Sequence, residues 1–400
     1  MSDELAYASI AELGSRIQRR EISSEEIVKA SVERTQKLDS KLNSYITFLP
    51  EKALEQARKA DQELRRGNYL GMLHGIPVSI KDHIDTAGIP TTAGAKFLMN
   101  NIPQKDAVVA RRLKQAGAVL MGKANMNKFA SGESGDNPDF GKIKTPWNFD
   151  FSAGGSSGGS GAMVAAGLVP LSVGTDNGGS IRIPAAVCGV VGLKPTFGRI
   201  SLDGIFPRAY TFDHPGPLTR SVEDCAIALQ ALAGHDLGNS TTIRKPVPNY
   251  SKGLKQPVKP LRIGVDRKFA GFGQPAVLDR WEKALKKLEE LGASIREVTI
   301  PTVEELFAVA YGLLAEFAVS MGEIWRQRPS DLAPEDVPFQ LAGELVPAGR
   351  LHSREPTTPS ASNAVCTSDW GSRRPGLPVL FIRATAVRSV SQCGWTASDI

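Results

Sequence analysis

Apolar residues return every three or four positions through residues 1–66, which predicts helices there. In "EISSEEIVKASVERTQKL" Ser23 stands three residues ahead of Glu26, the two partners of a capping box. "EKALEQARKADQELRRG" keeps the same period and stops at Gly67. The texture then changes. "IPVSI" within "LHGIPVSIKDHIDTAG" (73–88) is short, apolar and β-rich, so it predicts a buried strand. "DAVVARRLKQAGA" predicts an amphipathic helix closing on a glycine, and "AVLMGKAN" the next strand. Strand, helix, strand is a βαβ unit, and it predicts an α/β protein with parallel strands. "SGAMVAAGLVPLSVGTD" predicts a helix of small residues that packs close to a sheet, then an apolar strand. Further on, "LRIGVD" (261–266) predicts a strand, "AVLDRWEKALKKLEELGA" a helix, "SIREVTI" a strand and "TVEELFAVAYGLLAEFAVSMGEIW" a long helix. There is no internal repeat.

From about 350 neither period is present. Residues 351–400 contain no lysine, yet hold two of the four cysteines and two of the five tryptophans. The expectation for 346–400 is an atypical tail, disordered or aberrant in sequence.

Composition narrows the class. The chain has 400 residues, 41% of them hydrophobic, enough for a sizeable core and a soft prior of roughly two to three domains. No window approaches the ~20 unbroken apolar residues of a membrane-spanning helix. The start "MSDELAYAS" has no basic segment ahead of an apolar run, so a cytoplasmic protein is expected. Cys188, Cys225, Cys366 and Cys393 are scattered without a CxxC pair, against a disulfide framework or zinc ribbon. The formal charge of +6 is spread among acids, as in "KALKKLEELGA", so a solvated surface is expected rather than a nucleic-acid-binding face.

The candidate chemistry lies in "FSAGGSSGGSGAMVAAG" (151–167) and "GTDNGGSIRIPAA" (174–186). A flexible linker would not carry "GAMVAAG" and "VVGLKP". A phosphate loop needs a lysine after its glycines, and a dinucleotide fingerprint needs GxGxxG opening a helix; neither is present. Nucleophilic catalysis fits better. Ser180 follows Gly178 and Gly179, whose bare backbone can aim N–H groups at a spot beside Oγ, as an oxyanion hole requires. None of the histidines (His74, His83, His214, His235, His352) sits in a GxSxG elbow. A serine hydroxyl still needs a base. Lys81 is the candidate, because it follows "IPVSI" and emerges at a strand end. Lowering a lysine from about 10.4 toward 7 takes about 4 kcal/mol of differential interaction, which burial can supply.

These segments resemble the amidase signature family. "GGSSGGS" (154–160), "GTDNGGSIRIPAAVCGVVGLKPTFGRIS" (174–201) and "GIPVSIKDHIDTAG" (75–88) are similar to its motifs, and "TTAGAKFL", "GKANMNKFASG" and "DHPGPLTRSVEDC" agree. The resemblance covers roughly residues 5–345. It implies a large central mixed β-sheet covered by helices on both faces. One domain is then expected over 1–345, with a helical part at 1–66 and a catalytic core at 67–240. It also implies Lys81 as base, Ser156 as bridging serine, Ser180 as nucleophile, and a cis peptide bond at Gly155–Ser156. The N–H groups of Asn177, Gly178, Gly179 and Ser180 become the oxyanion hole, with Ser157, Asp176 and Arg182 in support. Asp176 and Arg182 are expected as an ion pair bracing the loop. His83 stands where relatives often carry asparagine, and reads as a local change. His214 reads as a turn histidine, Cys188 as a core residue, and Phe197, Phe206 and Tyr210 as core packing.

The implied activity is hydrolysis of a linear carboxylic amide through an acyl-enzyme, with no metal or organic cofactor. The partner is a small-molecule amide; no direct nucleic-acid or membrane partner is implied, and a homo-oligomer is compatible. "SIRIPA" and "DHPGP" look more like general amidases. One alternative is the A subunit of a tRNA-dependent amidotransferase, with partner subunits. Another is an inactive remnant, on account of the tail.

Overall fold

The helical pattern of the first 66 residues becomes four helices, Asp3–Tyr7, Ile10–Gln18, Ser24–Leu42 and Pro50–Arg65. The computed structural model describes residues 3–254, 261–271, 273–299, 303–332 and 336–346. The expected atypical tail lies outside these beyond its first residue. Ser23 caps the third helix: its hydroxyl accepts from Glu26 N–H, while the Glu26 carboxylate accepts from Ser23 N–H. The helical reading missed one strand, β1 (Tyr45–Phe48), between the third and fourth helices. Its "YITF" is aromatic and β-branched, but four residues are too few to show a period against long helices on either side.

The other strands of the first part of the chain are β2 (Pro77–Lys81), β3 (Val119–Ala124), β4 (Lys144–Thr145), β5 (Asn148–Ser152), β6 (Leu171–Thr175), β7 (Val191–Gly192) and β8 (Pro215–Thr219). Six of them form one mixed sheet in the order β1-β3-β2-β6-β8-β7, and β4 and β5 make a small hairpin. The central strands β3, β2 and β6 are parallel, as the βαβ pattern predicts; β1, β8 and β7 join antiparallel. Strand residues alternate between two cores. Val78, Ile80, Leu120, Leu171 and Val173 pack with helices Ile10–Gln18, Val108–Gln115 and Val222–Leu232. Val119, Met121 and Leu218 pack with helices Ser24–Leu42, Pro50–Arg65 and Gly158–Ala165. A strand covered on both sides has no solvated face, which is why "IPVSI" carries no polar alternation.

The helix Gly158–Ala165 comes unusually near the sheet. Gly159 N–H donates to Asn125 C=O at 3.0 Å, just past the end of β3. A Cβ at Gly159 would press into the carbonyl oxygens of Ser44 and Asn125, both of them backbone atoms that cannot swing away. The glycines of this segment are therefore spacing devices that bring a helix start against strand ends.

The chain divides into two units, residues 1–254 with 314–345, and 255–313 with 346–400. The described part of the second unit pairs β9 (Arg262–Val265) in parallel with β10 (Ser294–Glu297) and packs the helix Pro275–Glu290 on them through Trp281 and Leu285. Among the described residues no helix is long and apolar enough to cross a membrane.

Gly159→Ala is expected to cost about 2 kcal/mol through overpacking. Gly253→Ala, in open space on a short helix, is expected to be neutral or slightly stabilising. Parallel melting curves of the two variants check this.

Candidate active site

Lys81 is the last residue of β2, at the carboxyl end of a parallel strand, where open α/β sheets collect their ligands. Val78 and Ile80 point into one core, so Lys81 points to the other face, toward the start of helix Gly158–Ala165. Its side chain is fully buried. Nζ donates to Ser156 Oγ at 2.7 Å and to Thr175 Oγ1 at 3.1 Å. Among the described residues no carboxylate forms an ion pair with it. Burial pushes the ammonium down to about 7; Asp213 and Asp176 raise it, and Arg208 lowers it further. Lys81 can thus exist uncharged near neutral pH.

Ser156 is buried in the glycine-serine loop, and the Gly155–Ser156 peptide is cis. Its carbonyl accepts from Asn127 N–H at 3.1 Å. The Asn127 side chain holds the neighbouring turn: Oδ1 accepts from Gly135 N–H at 3.1 Å, and Nδ2 donates to Asp136 C=O at 3.1 Å. Ser157 stitches the loop to β6. Its hydroxyl donates to Thr175 C=O at 3.2 Å and accepts from Thr175 N–H at 3.3 Å. Ser160 accepts from the Ser172 hydroxyl at 2.9 Å, between helix and β6.

Ser180 sits just before helix Arg182–Cys188 and retains 9% exposure. Its carbonyl accepts from Ser157 N–H at 3.1 Å, which ties the two loops together. The N–H groups of Asn177, Gly178, Gly179 and Ser180 have no protein acceptor among the described residues, although their neighbours Asp176 and Ile181 do. A run of four unpaired donors is a place for an anionic oxygen. Asp176 fixes that run from below. Its fully buried carboxylate accepts from Arg182 Nε and Nη2, both at 2.9 Å, and lies 3.3 Å from Lys194 Nζ. Burial works to raise this carboxyl, but the Arg182 hydrogen bonds, Lys194 and Ile181 N–H outweigh it and hold it well below the usual range. Asp213 fastens the other side, accepting from Asn177 Nδ2 at 2.9 Å and from Arg208 N–H at 2.9 Å.

The structure brings Lys81 and Ser156 into direct contact, and joins Ser180 to that loop through main chain. Thr175, Asn127 and Asp213 were missed by sequence reasoning. The signal for Thr175 was its place at the end of an apolar strand; Asn127 and Asp213 lie in "GKANMNKFASG" and "DHPGPLTRSVEDC", where nothing marks them out from their neighbours. His214 exchanges two main-chain hydrogen bonds with Asp176, at 2.8 and 3.1 Å, and its ring packs on Phe197. Burial, then Lys194, pushes its imidazole down to about 4. Cys188 is buried, which pushes its thiol up to about 12. Trp147, 66% exposed, donates Nε1–H to the Cys188 carbonyl at 2.8 Å. Phe206 packs on Phe129, but Tyr210 is 44% exposed and donates to Asn239 Oδ1, so it is a surface residue rather than core. Among the described residues no group of three or more His, Cys, Asp or Glu could hold a metal ion.

A mixed sheet between two helical layers, with a buried lysine and a glycine-serine loop at its parallel strand ends, defines an α/β protein. The family model described as Amidase matches residues 26–335, and the chain belongs to that family. It is 45% identical over 321 residues to the A subunit of the glutamyl-tRNA(Gln) amidotransferase of Moorella thermoacetica, covering 80% of this chain and 65% of that protein. It is 46% identical over 308 residues to the same-named protein of Methylococcus capsulatus, covering 77% and 63%. The chain thus spans a little under two thirds of the length of these relatives. Among solved structures, the native peptide amidase of Stenotrophomonas maltophilia superposes with a TM-score of 0.73 at 32% identity, covering 89% of this chain and 78% of that one. A structure described as a vestigial protein complex that reveals the origins of an s-triazine catabolic enzyme reaches 0.81 at 35%, covering 86% and 75%.

Asp176→Asn is expected to cost about 2 kcal/mol at pH 7, because it leaves two half-buried cationic groups without their anion. The folded-state carboxyl is depressed, so its contribution is present above the unfolded value of about 3.9 and is lost as pH falls below it. Unfolding curves of parent and variant are therefore expected to converge on acidification.

Proposed function

We propose that this chain cleaves a carboxamide at Ser180 through a lysine-driven relay of two hydroxyls. The observation that carries this reading is the 2.7 Å hydrogen bond from fully buried Lys81 to Ser156. Uncharged Lys81 takes the Ser156 hydroxyl proton as Ser156 takes that of Ser180. The Ser180 oxygen bonds to the amide carbon, and the carbonyl oxygen becomes an anion held by the N–H groups of residues 177–180. The relay returns a proton to nitrogen, the C–N bond breaks and ammonia leaves. Water then attacks the Ser180 ester by the same route and releases the acid.

We infer that the amide is the side chain of glutamine, and that the ammonia is passed on within a complex with other subunits. The names of the amidotransferase subunits that this chain resembles over 74–80% of its length support that choice. The second reading is a stand-alone amidase. It is favoured by the likeness to peptide amidase structures and by the segments "SIRIPA" and "DHPGP".

Ammonia release from glutamine is expected, and its loss in Ser180→Ala. Hydrolysis of aliphatic or aryl amides with no release from glutamine would shift the choice to the second reading. Full activity in Ser180→Ala would remove the nucleophile. Lys81→Ala is expected to lower kcat at least 100-fold, the scale of a lost general base. Because the amine must be uncharged to act, kcat/KM is expected to rise with pH through about 7 and then level, as a pH profile of ammonia release would report.

A further inference from the structure

His83 lies two residues beyond Lys81 and is buried. Its Nε2 is 3.0 Å from Thr175 Oγ1, the same oxygen that accepts from Lys81 Nζ at 3.1 Å. His83 Nδ1 is buried with no hydrogen-bond partner among the described residues. The groups therefore form a chain, His83–Thr175–Lys81–Ser156, whose last two members belong to the relay described above and whose first two do not.

Counting hydrogens leaves two directions for this chain, one for each tautomer of His83. A threonine hydroxyl has one hydrogen to give and two lone pairs to receive. The Thr175 oxygen has two side-chain partners among the described residues, Lys81 and His83. If His83 Nε2 is bare, the Thr175 hydrogen goes there, and the oxygen accepts from Lys81. If Nε2 carries a hydrogen, it donates to Thr175, and the hydroxyl hydrogen is left to turn to the lone pair of uncharged Lys81. That lone pair is the one that must receive the Ser156 proton. One tautomer frees the amine; the other occupies it.

We propose that His83 is a positioning residue: neutral, with its proton on Nδ1, it accepts the Thr175 hydroxyl hydrogen and so keeps the Lys81 lone pair aimed at Ser156. The inference rests on the reading of Lys81 as base. Burial, then the charges of Lys81 and Lys123, hold the imidazole well below its ordinary value, in keeping with a neutral ring. The charges acting on Lys81 are Asp213, Asp176 and Arg208, and Asp82 faces Lys123 at 3.4 Å. His83 is thus not a switch near neutrality; its removal is felt through Lys81. Without the acceptor, the Thr175 hydrogen turns to the amine, stabilises its uncharged form and competes with Ser156. The reaction slows and the rising limb moves to lower pH.

The test is the rate at which a fluorophosphonate labels Ser180 in the full chain from pH 5 to 9, with Ser180→Ala as blank. His83→Leu is expected to be about tenfold slower on the plateau, the scale of one mis-set hydrogen bond, with its limb displaced downward. His83→Gln, whose carbonyl oxygen can stand in for Nε2, is expected to restore most of the rate. A His83→Leu profile superimposable on the parent, or a His83→Gln as slow as leucine, overturns the inference while leaving the proposed function intact. A parent that labels no faster than the blank overturns both. Independently of any variant's folding, nitrogen-15 NMR of the parent is expected to show unprotonated Nε2 on His83; a protonated Nε2 overturns the assignment.

Discussion

A primary amine buried among neutral hydroxyls, with no anion in contact among the described residues, is the constraint around which this molecule is built. Lys123, on the adjacent strand, shows the alternative. It is equally buried, but it lies 3.4 Å from Asp82 and donates to Thr91 Oγ1 at 2.8 Å. Burial draws both members of that pair toward their neutral forms, and each charge offsets the other. Lys123 and Asp82 thereby fasten residues 90–92 to the strand ends. Lys81 has only Ser156 and Thr175 among the described residues, so its protonation stays open to change near neutrality. Two lysines of like burial serve different ends because one was given a carboxylate and the other was not.

That arrangement needs hydroxyls delivered to a strand end at hydrogen-bonding distance. The glycines deliver them: Gly159 lets a helix start against Asn125 and Ser44, and the chain ahead of it carries Ser156 onto Lys81. Ser157 then locks that chain to β6, and β6 supplies Thr175 from the other side. The Ser180 loop, tied to these through Ser157 N–H, also has its own anchors, Asp176 beneath it and Asp213 beside it. Anchoring by side chains leaves its main-chain donors unspent, and unspent donors are what an incoming carbonyl oxygen requires.

Much of this was legible in the sequence because it was local. "IPVSI" followed by a lysine is readable as a strand with a cation at its end, and a glycine pair ahead of Ser180 as bare backbone. The capping box at Ser23 and the parallel βαβ unit were likewise written in adjacent residues. What escaped was either too short or too distant. The strand Tyr45–Phe48 has four residues and owes its existence to β3, some 75 positions on. Thr175 meets Lys81 across 94 residues and His83 across 92, so no motif contains the trio. His83 reads as a neutral local change until its ring is seen against Thr175. Asn127 and Asp213 stand within "GKANMNKFASG" and "DHPGPLTRSVEDC", but bracing a turn is a role open to any short polar residue in a loop, so neither stood out from its neighbours.

Every group of the site named above, from Lys81 to His214, comes from one stretch of the first unit, ahead of the point where the chain passes into the second. The buried amine and the hydroxyls around it therefore come from a single continuous run of the chain.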